Sequence, residues 1–539
     1  MRGVSTMIGP PGTGKTTRVA ELVEEIYQAK AGMGTPAIVV SLTKAAAAEA
    51  AGRDLPIGPK AVGTLHSFAY RALGAPEIAE SKAKEFGEEF PELSFDTSGT
   101  ASDLDEPSWE RSGKVGFSKE GVVSYQTVAE LRAREIPRDS PAWAGVRDFD
   151  RAWETWKADN ELLDFTDLVD RARVEACPLD PSVIIVDEAQ DLSSLELSLL
   201  RRWTVDGAEG LVLVGDPLQS LYAWRGAHPE LFNDPRVLGD RRTVLHQSYR
   251  VPRAVHRAAC MWASDLLDRF DVRYEPRDAE GETGFVDASW KHPSAVVDWA
   301  CDRVVRGESV MLQASCSYML DPLVRELRAR AVPFANPWRR KRGDWNPLAR
   351  GSRLRNLLDA PSLGRLWTPE ELASWVEPLQ AAKALRRGAK ATIRRLGASD
   401  QAVPFDLLLE WFGGDALSDL FDRLDPFDAP SLASWWFERL SPTGAKTARY
   451  GVEVVERRGL DAIREEPRIF VGSVHSFKGA EADTVLTFPD LSPLGWAELQ
   501  RGGDGRDAVT RLGYVALTRA RERCFVARAL TQHAMDLPV

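Results

Sequence analysis

Val4-Ser5-Thr6-Met7-Ile8-Gly9-Pro10-Pro11-Gly12-Thr13-Gly14-Lys15-Thr16-Thr17 runs from an apolar β-branched segment into a glycine-rich loop and then into residues of helical pattern. A G-x-x-x-x-G-K-T spacing between a strand and a helix lets backbone N–H groups approach phosphate oxygens with no side chain in the way. The helix N-terminus adds partial positive charge at the same place. Gly9, Pro10, Pro11, Gly12, Thr13, Gly14, Lys15, Thr16 and Thr17 are therefore expected to surround a nucleoside triphosphate. Lys15 would reach the β- and γ-phosphates, and the Thr16 hydroxyl would hold Mg²⁺. A tight glycine turn without a nucleotide is the competing reading.

Working outward, Val183-Ile184-Ile185-Val186-Asp187-Glu188-Ala189-Gln190-Asp191 is a second apolar run, and it ends in two adjacent carboxylates. Phosphoryl transfer needs positioning and charge stabilisation, so a metal-holding carboxylate and a water-activating one are enough. Asp187 takes the first role in this reading and Glu188 the second. Similar apolar runs at residues 37–41, 211–214, 310–313, 469–473, 484–488 and 524–527 read as buried parallel strands, and residues 16–30 and 44–53 as helices between them. The early and late βα sets predict an α/β fold with two doubly wound parallel-sheet domains. Residues 76–160 and 336–466 break the rhythm and read as largely helical insertions. The expected division is 1–75 with 161–245, 76–160, 246–335 with 467–539, and 336–466.

The 539 residues are too many for one ordinary core, and 44% hydrophobic with 28% charged residues excludes a disordered chain. No apolar run approaches membrane-spanning length and no signal-peptide pattern opens the chain. The five cysteines are far apart, which predicts neither a disulfide framework nor a zinc site and fits a reducing cytoplasm. A net charge of −11 opposes non-specific binding to nucleic acid, so any such contact must be local and positively focused.

Six further blocks narrow the class. They are Val62-Gly63-Thr64-Leu65-His66-Ser67-Phe68, Asp164-Phe165-Thr166-Asp167-Leu168, Gly215-Asp216-Pro217-Leu218-Gln219-Ser220-Leu221-Tyr222-Ala223-Trp224-Arg225-Gly226-Ala227, Gln247-Ser248-Tyr249-Arg250, Val474-His475-Ser476-Phe477-Lys478-Gly479-Ala480-Glu481 and Tyr514-Val515-Ala516-Leu517-Thr518-Arg519-Ala520. In sequence and order they resemble the UvrD/Rep/PcrA group of superfamily 1 DNA helicases. The resemblance spans both α/β cores and implies RecA-like domains. It also implies a DNA-dependent ATP hydrolase, a helicase that moves along single-stranded DNA, 3′→5′, and separates duplex. ATP and Mg²⁺ would be its cofactors, and single strands and single/double-strand junctions its partners. A cytoplasmic location follows, in a bacterium or as a phage protein in a bacterial host. A translocase that strips proteins without processive unwinding is the alternative, and a DNA-binding scaffold with an inactive ATPase a distant one.

Carried over by position, the resemblance implies that Gln219 senses the γ-phosphate, Tyr249 stacks on adenine and Arg250 approaches the γ-phosphate. Glu481, next to Gly479, would bind the ribose, and Arg519 would be the arginine finger. Tyr222, Trp224 and Arg225 would face the single strand, where base stacking is worth about 1–3 kcal/mol per base whatever the sequence. Thr43, Lys44, Thr64, His66 and His475 match positions near the DNA backbone.

Three departures stand out. Only eight residues precede Gly9, so the family's adenine-reading glutamine has no place there, and weak discrimination among purine triphosphates is expected. Ser41 stands where the family has a stacking aromatic, which predicts a looser grip. In residues 336–466, Arg387, Lys390 and Arg394 at helical spacing suggest a duplex-phosphate track or a solvated face, joined by Arg339-Arg340-Lys341-Arg342. The five tryptophans there, Trp367, Trp375, Trp411, Trp435 and Trp436, read as core. The chain ends soon after Arg519, and no nuclease domain or long tail is expected.

Overall fold

The computed structural model describes residues 3–30, 35–41, 55–95, 119–234, 241–337, 346–348 and 352–539, without the side chains of residues 119–122, 206, 224 and 352. Two all-parallel sheets organise these residues. The first contains β1 (Gly3–Ile8), β2 (Thr35–Ser41), β3 (Val62–Thr64), β4 (Pro181–Val186), β5 (Gly210–Gly215) and β6 (Arg241–Val244) in the order β3-β2-β4-β5-β1-β6. A short two-stranded ribbon, β7 (Gln247–Pro252) with β8 (Glu275–Arg277), follows. The second sheet contains β9 (Glu282–Val286), β10 (Val310–Ala314), β11 (Ile469–Ser473), β12 (Ala482–Phe488) and β13 (Ala520–Ala527) in the order β11-β10-β12-β13-β9.

The apolar runs become these strands because a parallel sheet is covered on both faces and rewards β-branched residues on each. Ile38, Val39, Val40, Ile184, Ile185 and Val186 have no exposed surface. Strands β3, β6 and β9 were not expected from the sequence. All three are sheet edges, where Arg241-Arg242-Thr243-Val244 and Glu282-Thr283-Gly284-Phe285-Val286 stay partly exposed and need no continuous apolar run. The expected helix at 16–30 is the helix Lys15–Ala29, and the one at 44–53 lies outside the described residues.

The two sheets share core. A single apolar cluster runs from Ile8, Val186 and Leu218 through Val251, Val255 and Phe270 to Val474, Val515 and Cys524. Among the described residues, no helix is long and apolar enough to cross a membrane.

The described residues between β3 and β4 are largely helical, around an aromatic core of Phe86, Phe95, Tyr125, Phe149, Trp153 and Trp156. A charge knot fastens it to the helix Phe165–Ala172. Lys157 Nζ donates to Asp164 (2.5 Å) and Asp167 (2.6 Å), and Arg132 to the same two carboxylates (2.7 and 2.5 Å). Glu154, Asp164 and Asp167 lie close enough together to suit a cation, but Lys157 and Arg132 already hold that place. Deeper in, Glu80 accepts from the Tyr125 hydroxyl (2.7 Å) and the Phe165 N–H (3.0 Å). Burial and the Asp164 carboxylate raise its pKa to about 8.

Between β10 and β11 the described chain is helical, around fully buried Trp367, Trp375, Trp435 and Trp436, with Trp411 packed beside them. Trp436 Nε1 donates to the Trp375 carbonyl (2.8 Å). The basic helical face does not form as expected. The helix runs only from Ala389 to Arg394, and Gly388 in the left-handed region separates Arg387 from it. Lys390 donates to the Leu379 carbonyl, and Arg394 grips Glu377 through two hydrogen bonds. Arg339, Arg340, Lys341 and Arg342 lie outside the described residues.

Candidate nucleotide site and nucleic-acid interface

The loop after β1 closes on itself by short-range bonds. The Thr13 hydroxyl donates to the Pro10 carbonyl (2.8 Å), and Lys15 Nζ curls back to the Gly9 carbonyl (2.6 Å). Gly14, in the left-handed region, begins the helix that carries Lys15, Thr16 and Thr17. Two glycines have no substitute. A Cβ at Gly9 would lie 2.1 Å from Lys15 Cγ, and one at Gly12 (φ +72°) would lie 2.3 Å from Arg250 Cβ. Gly12 is thus also where β7 arrives: the Tyr249 N–H donates to its carbonyl (2.8 Å), and the Ser248 hydroxyl to that of Pro11 (2.8 Å).

The carboxylates stand at the ends of neighbouring strands. Asp187 is buried beyond β4, its N–H bound to the Val40 carbonyl. Glu188 adopts a left-handed backbone (φ 58°), a strained choice for a glutamate that turns its side chain toward the β5 end. Gln190 braces it: its Nε2 donates to Glu188 Oε2 (2.6 Å), while its Oε1 accepts the Asp216 N–H (2.9 Å). Burial works to raise the Glu188 pKa, but the Lys478 and Lys15 ammonium groups overcome it and hold the carboxyl at about 2. Asp216 accepts from Gln219 Nε2 (2.7 Å), and burial raises its pKa.

The second sheet supplies the opposite wall. Arg519, fully buried, donates to Gln219 Oε1 (2.9 Å), the Val515 carbonyl (3.1 Å) and the Ala480 carbonyl (3.3 Å). Burial and the Arg250 guanidinium bring its pKa down to about 9, so the group stays charged at neutral pH. Arg250 Nε donates to Glu481 Oε2 (2.6 Å), so the residues expected at the γ-phosphate and the ribose pair with each other. Gly479, at φ +81°, turns the chain between Lys478 and Glu481. The Tyr249 ring is 72% exposed, an open face for a flat base.

Sequence reasoning gave Lys478 no role, although its block was recognised. Its Nζ pairs with Asp191 and with Glu188 Oε2 (3.4 Å) and lies 4.9 Å from the centroid of the Tyr222 ring. The contact joins residues 287 positions apart, which no local pattern reveals. The available signal was its type, one of only 15 lysines beside 54 arginines.

The expected strand-contacting residues are spread over the carboxyl ends of the first sheet and the turn after β11. Tyr222 is buried, with Arg225 5.8 Å from its ring centroid, and the Trp224 side chain lies outside the described residues, as do Thr43 and Lys44. Thr64 caps the helix Leu65–Ala72, its hydroxyl accepting the Ser67 N–H (3.2 Å). His66 stands edge-on to Phe165, 4.0 Å from Glu196, and burial lowers its pKa. His475 is buried in the short turn after β11. Ser41, in the position of the absent aromatic, is buried at the end of β2.

A phosphate loop and paired carboxylates on one parallel sheet, met by an arginine from a second, are the parts that a two-walled nucleoside-triphosphate site requires. Comparison with known proteins narrows this further. Residues 1–236 match the model of the UvrD/REP helicase N-terminal domain, so the part of the chain that carries the first sheet is similar to that domain. It is similar to a probable DNA helicase of Mycoplasma pneumoniae, 28% identical over 286 residues, which cover 47% of this chain and 51% of that one. It is also similar to a probable DNA helicase II homolog of the same organism, 24% identical over 293 residues (46% of this chain, 38% of that one). A third relative is the RecBCD enzyme subunit RecB of Mycolicibacterium smegmatis, 30% identical over 148 residues (25% and 14%). The chain thus spans about half the length of the first relative and less of the other two.

Proposed function

We propose that the chain is an ATP-driven motor that moves 3′→5′ along single-stranded DNA and separates duplex ahead of it. The observation that carries this reading is the buried contact between Arg519 and Gln219, since it makes the hydrolytic site dependent on both walls of the cleft. The phosphate loop N–H groups and Lys15 bind the triphosphate, Tyr249 stacks on its base, and Glu481 takes the ribose hydroxyl. Entry of the γ-phosphate draws Lys15 from the Gly9 carbonyl and Arg250 from Glu481, since both cations have a stronger partner in phosphate.

The Thr16 hydroxyl and the Asp187 carboxylate are hard oxygen donors that suit Mg²⁺, which supplies charge neutralisation on the phosphate oxygens when bound. Glu188 orients the attacking water and receives its proton, with Gln190 fixing the carboxylate. Arg519 and Gln219 stabilise the charge that spreads over the transferring group. The single strand crosses the carboxyl ends of the first sheet, near Thr64, His66, Tyr222 and Arg225, and reaches His475 on the second; Thr43, Lys44 and Trp224 are expected to contact it as well. Cleft closure and reopening move these two contact sets relative to each other.

Forked duplexes carrying only a 3′ or only a 5′ tail test the proposal directly. Unwinding of the 3′-tailed fork with ATP, together with DNA-stimulated hydrolysis lost in Lys15→Ala, is the expected result. Strand-stimulated hydrolysis with no unwinding of either fork reduces the activity to translocation alone.

A further inference from the structure

Lys478 touches groups that the proposed mechanism assigns to different tasks. It follows β11 on the second sheet, yet its ammonium pairs with Glu188 and Asp191, beyond β4 of the first. The same ammonium lies over the ring of Tyr222, on the loop beyond β5 that also carries Gln219. The lysine and Asp191 side chains are 10% and 4% exposed, so the pair is shielded from water. Burying such charges costs more than the pairing returns unless the geometry is well satisfied, so a buried pair is weak evidence for a role in stability alone. Glu188 Oε2 is held twice, by Gln190 Nε2 and by Lys478 Nζ, and the two holds differ in kind. Gln190 belongs to the same strand end, whereas Lys478 comes from the turn after β11 on the second sheet. Tyr222 is itself buried, so the attraction between the ammonium and its π-cloud ties Lys478 to the loop that runs on to Trp224 and Arg225.

We propose that Lys478 is a positioning residue that ties the water-activating carboxylate Glu188 to Tyr222, on the loop assigned above to the strand, so that strand binding and hydrolysis share one ammonium group. The inference rests on the roles given above to Glu188 and Tyr222. It identifies the contact through which a bound strand alters turnover without altering ATP binding.

The test compares Lys478→Met made together with Asp191→Asn, which removes the charges of both Lys478 and Asp191, with Asp191→Asn alone and with Lys478→Arg. Hydrolysis is measured in the intact chain with and without oligothymidylate. Relative to Asp191→Asn, the double variant is expected to lose tenfold or more in strand-stimulated kcat, with KM for ATP within threefold. The factor by which DNA stimulates hydrolysis should fall toward one. Lys478→Arg, which keeps the charge, should recover part of the turnover. Adding Tyr222→Leu to the double variant should reduce stimulation no further, as expected for groups acting through one contact. A stimulation factor within twofold of Asp191→Asn overturns the inference, as does a Tyr222→Leu effect that multiplies independently. Glu188→Gln separates the two levels: if it retains turnover, the reading of Glu188 fails whatever Lys478 does.

Discussion

Arg519 reaches Gln219 where neither side chain meets water, and its other donors are taken by the Val515 and Ala480 carbonyls. A planar guanidinium presents its donors from three separate nitrogens in one plane, a spread that the three donors on the single nitrogen of an ammonium do not match. Arg519→Ala is therefore expected to lower kcat about a thousandfold or more while KM for ATP changes only a few-fold. Arg519→Lys should rescue little of it; steady-state kinetics with the Tm followed in parallel check both. At the base, the open Tyr249 ring offers stacking, which every purine satisfies. ATP and GTP are expected to be hydrolysed with similar kcat/KM, and a hundredfold preference for ATP would show that another group reads the base edge. The candidacy of Lys15, Glu188 and Arg519 was legible because each sits in a short stretch of fixed spacing. That of Lys478 was not, because it exists only where β11 meets the loop beyond β4.

Elements carry the next level of argument. Thr64 stands at the junction of β3 and the helix Leu65–Ala72, and its hydroxyl satisfies an otherwise orphaned helix N–H. Thr64→Ala should cost about 1 kcal/mol of stability and Thr64→Ser much less. Thermal or urea unfolding measures the cap, and strand affinity measured on the same variants separates it from any DNA contact. The inner strands were readable because burial on both faces leaves an uninterrupted apolar run, as at Val183-Ile184-Ile185-Val186. Edges escape this logic: Arg241-Arg242-Thr243-Val244 becomes a strand because β1 offers it a parallel partner, not because its own residues demand one. The edge strand β11 was legible because the helical segment covers it, down to a bridge between Ala335 and Phe470. Spacing alone misread the stretch around Arg387, where Gly388 breaks the helix that a three- and four-residue pattern implies.

At the scale of the molecule, the charge knot makes stability depend on pH. Glu80 has a pKa of about 8 in the fold, set by burial and the neighbouring Asp164, against 4.5 ordinarily. Between those values the native chain keeps a proton that the unfolded chain releases. The contribution to stability is therefore complete below pH 4.5 and is lost as pH rises through 8. Glu80→Gln should remove that slope, so its Tm should exceed that of the wild type by a few degrees more at pH 8.5 than at pH 5. A variant whose Tm tracks the wild type across this range would show that Glu80 is ionised in the fold. With an overall charge of −11, the proposed strand path must be locally cationic, and Arg225 and Lys478 beside Tyr222 are two of the cations available to it.

The bond from the Tyr249 N–H to the Gly12 carbonyl is the backbone member of the two hydrogen bonds that tie β7 to the phosphate loop, beside that from the Ser248 hydroxyl to the Pro11 carbonyl. That amide is consequently a natural strain gauge. Its rate of exchange with deuterated solvent reports how often the seam opens, and nucleotides that draw the cleft shut should slow it in proportion to their grip. One backbone proton, with no label attached, then times each opening of the cleft.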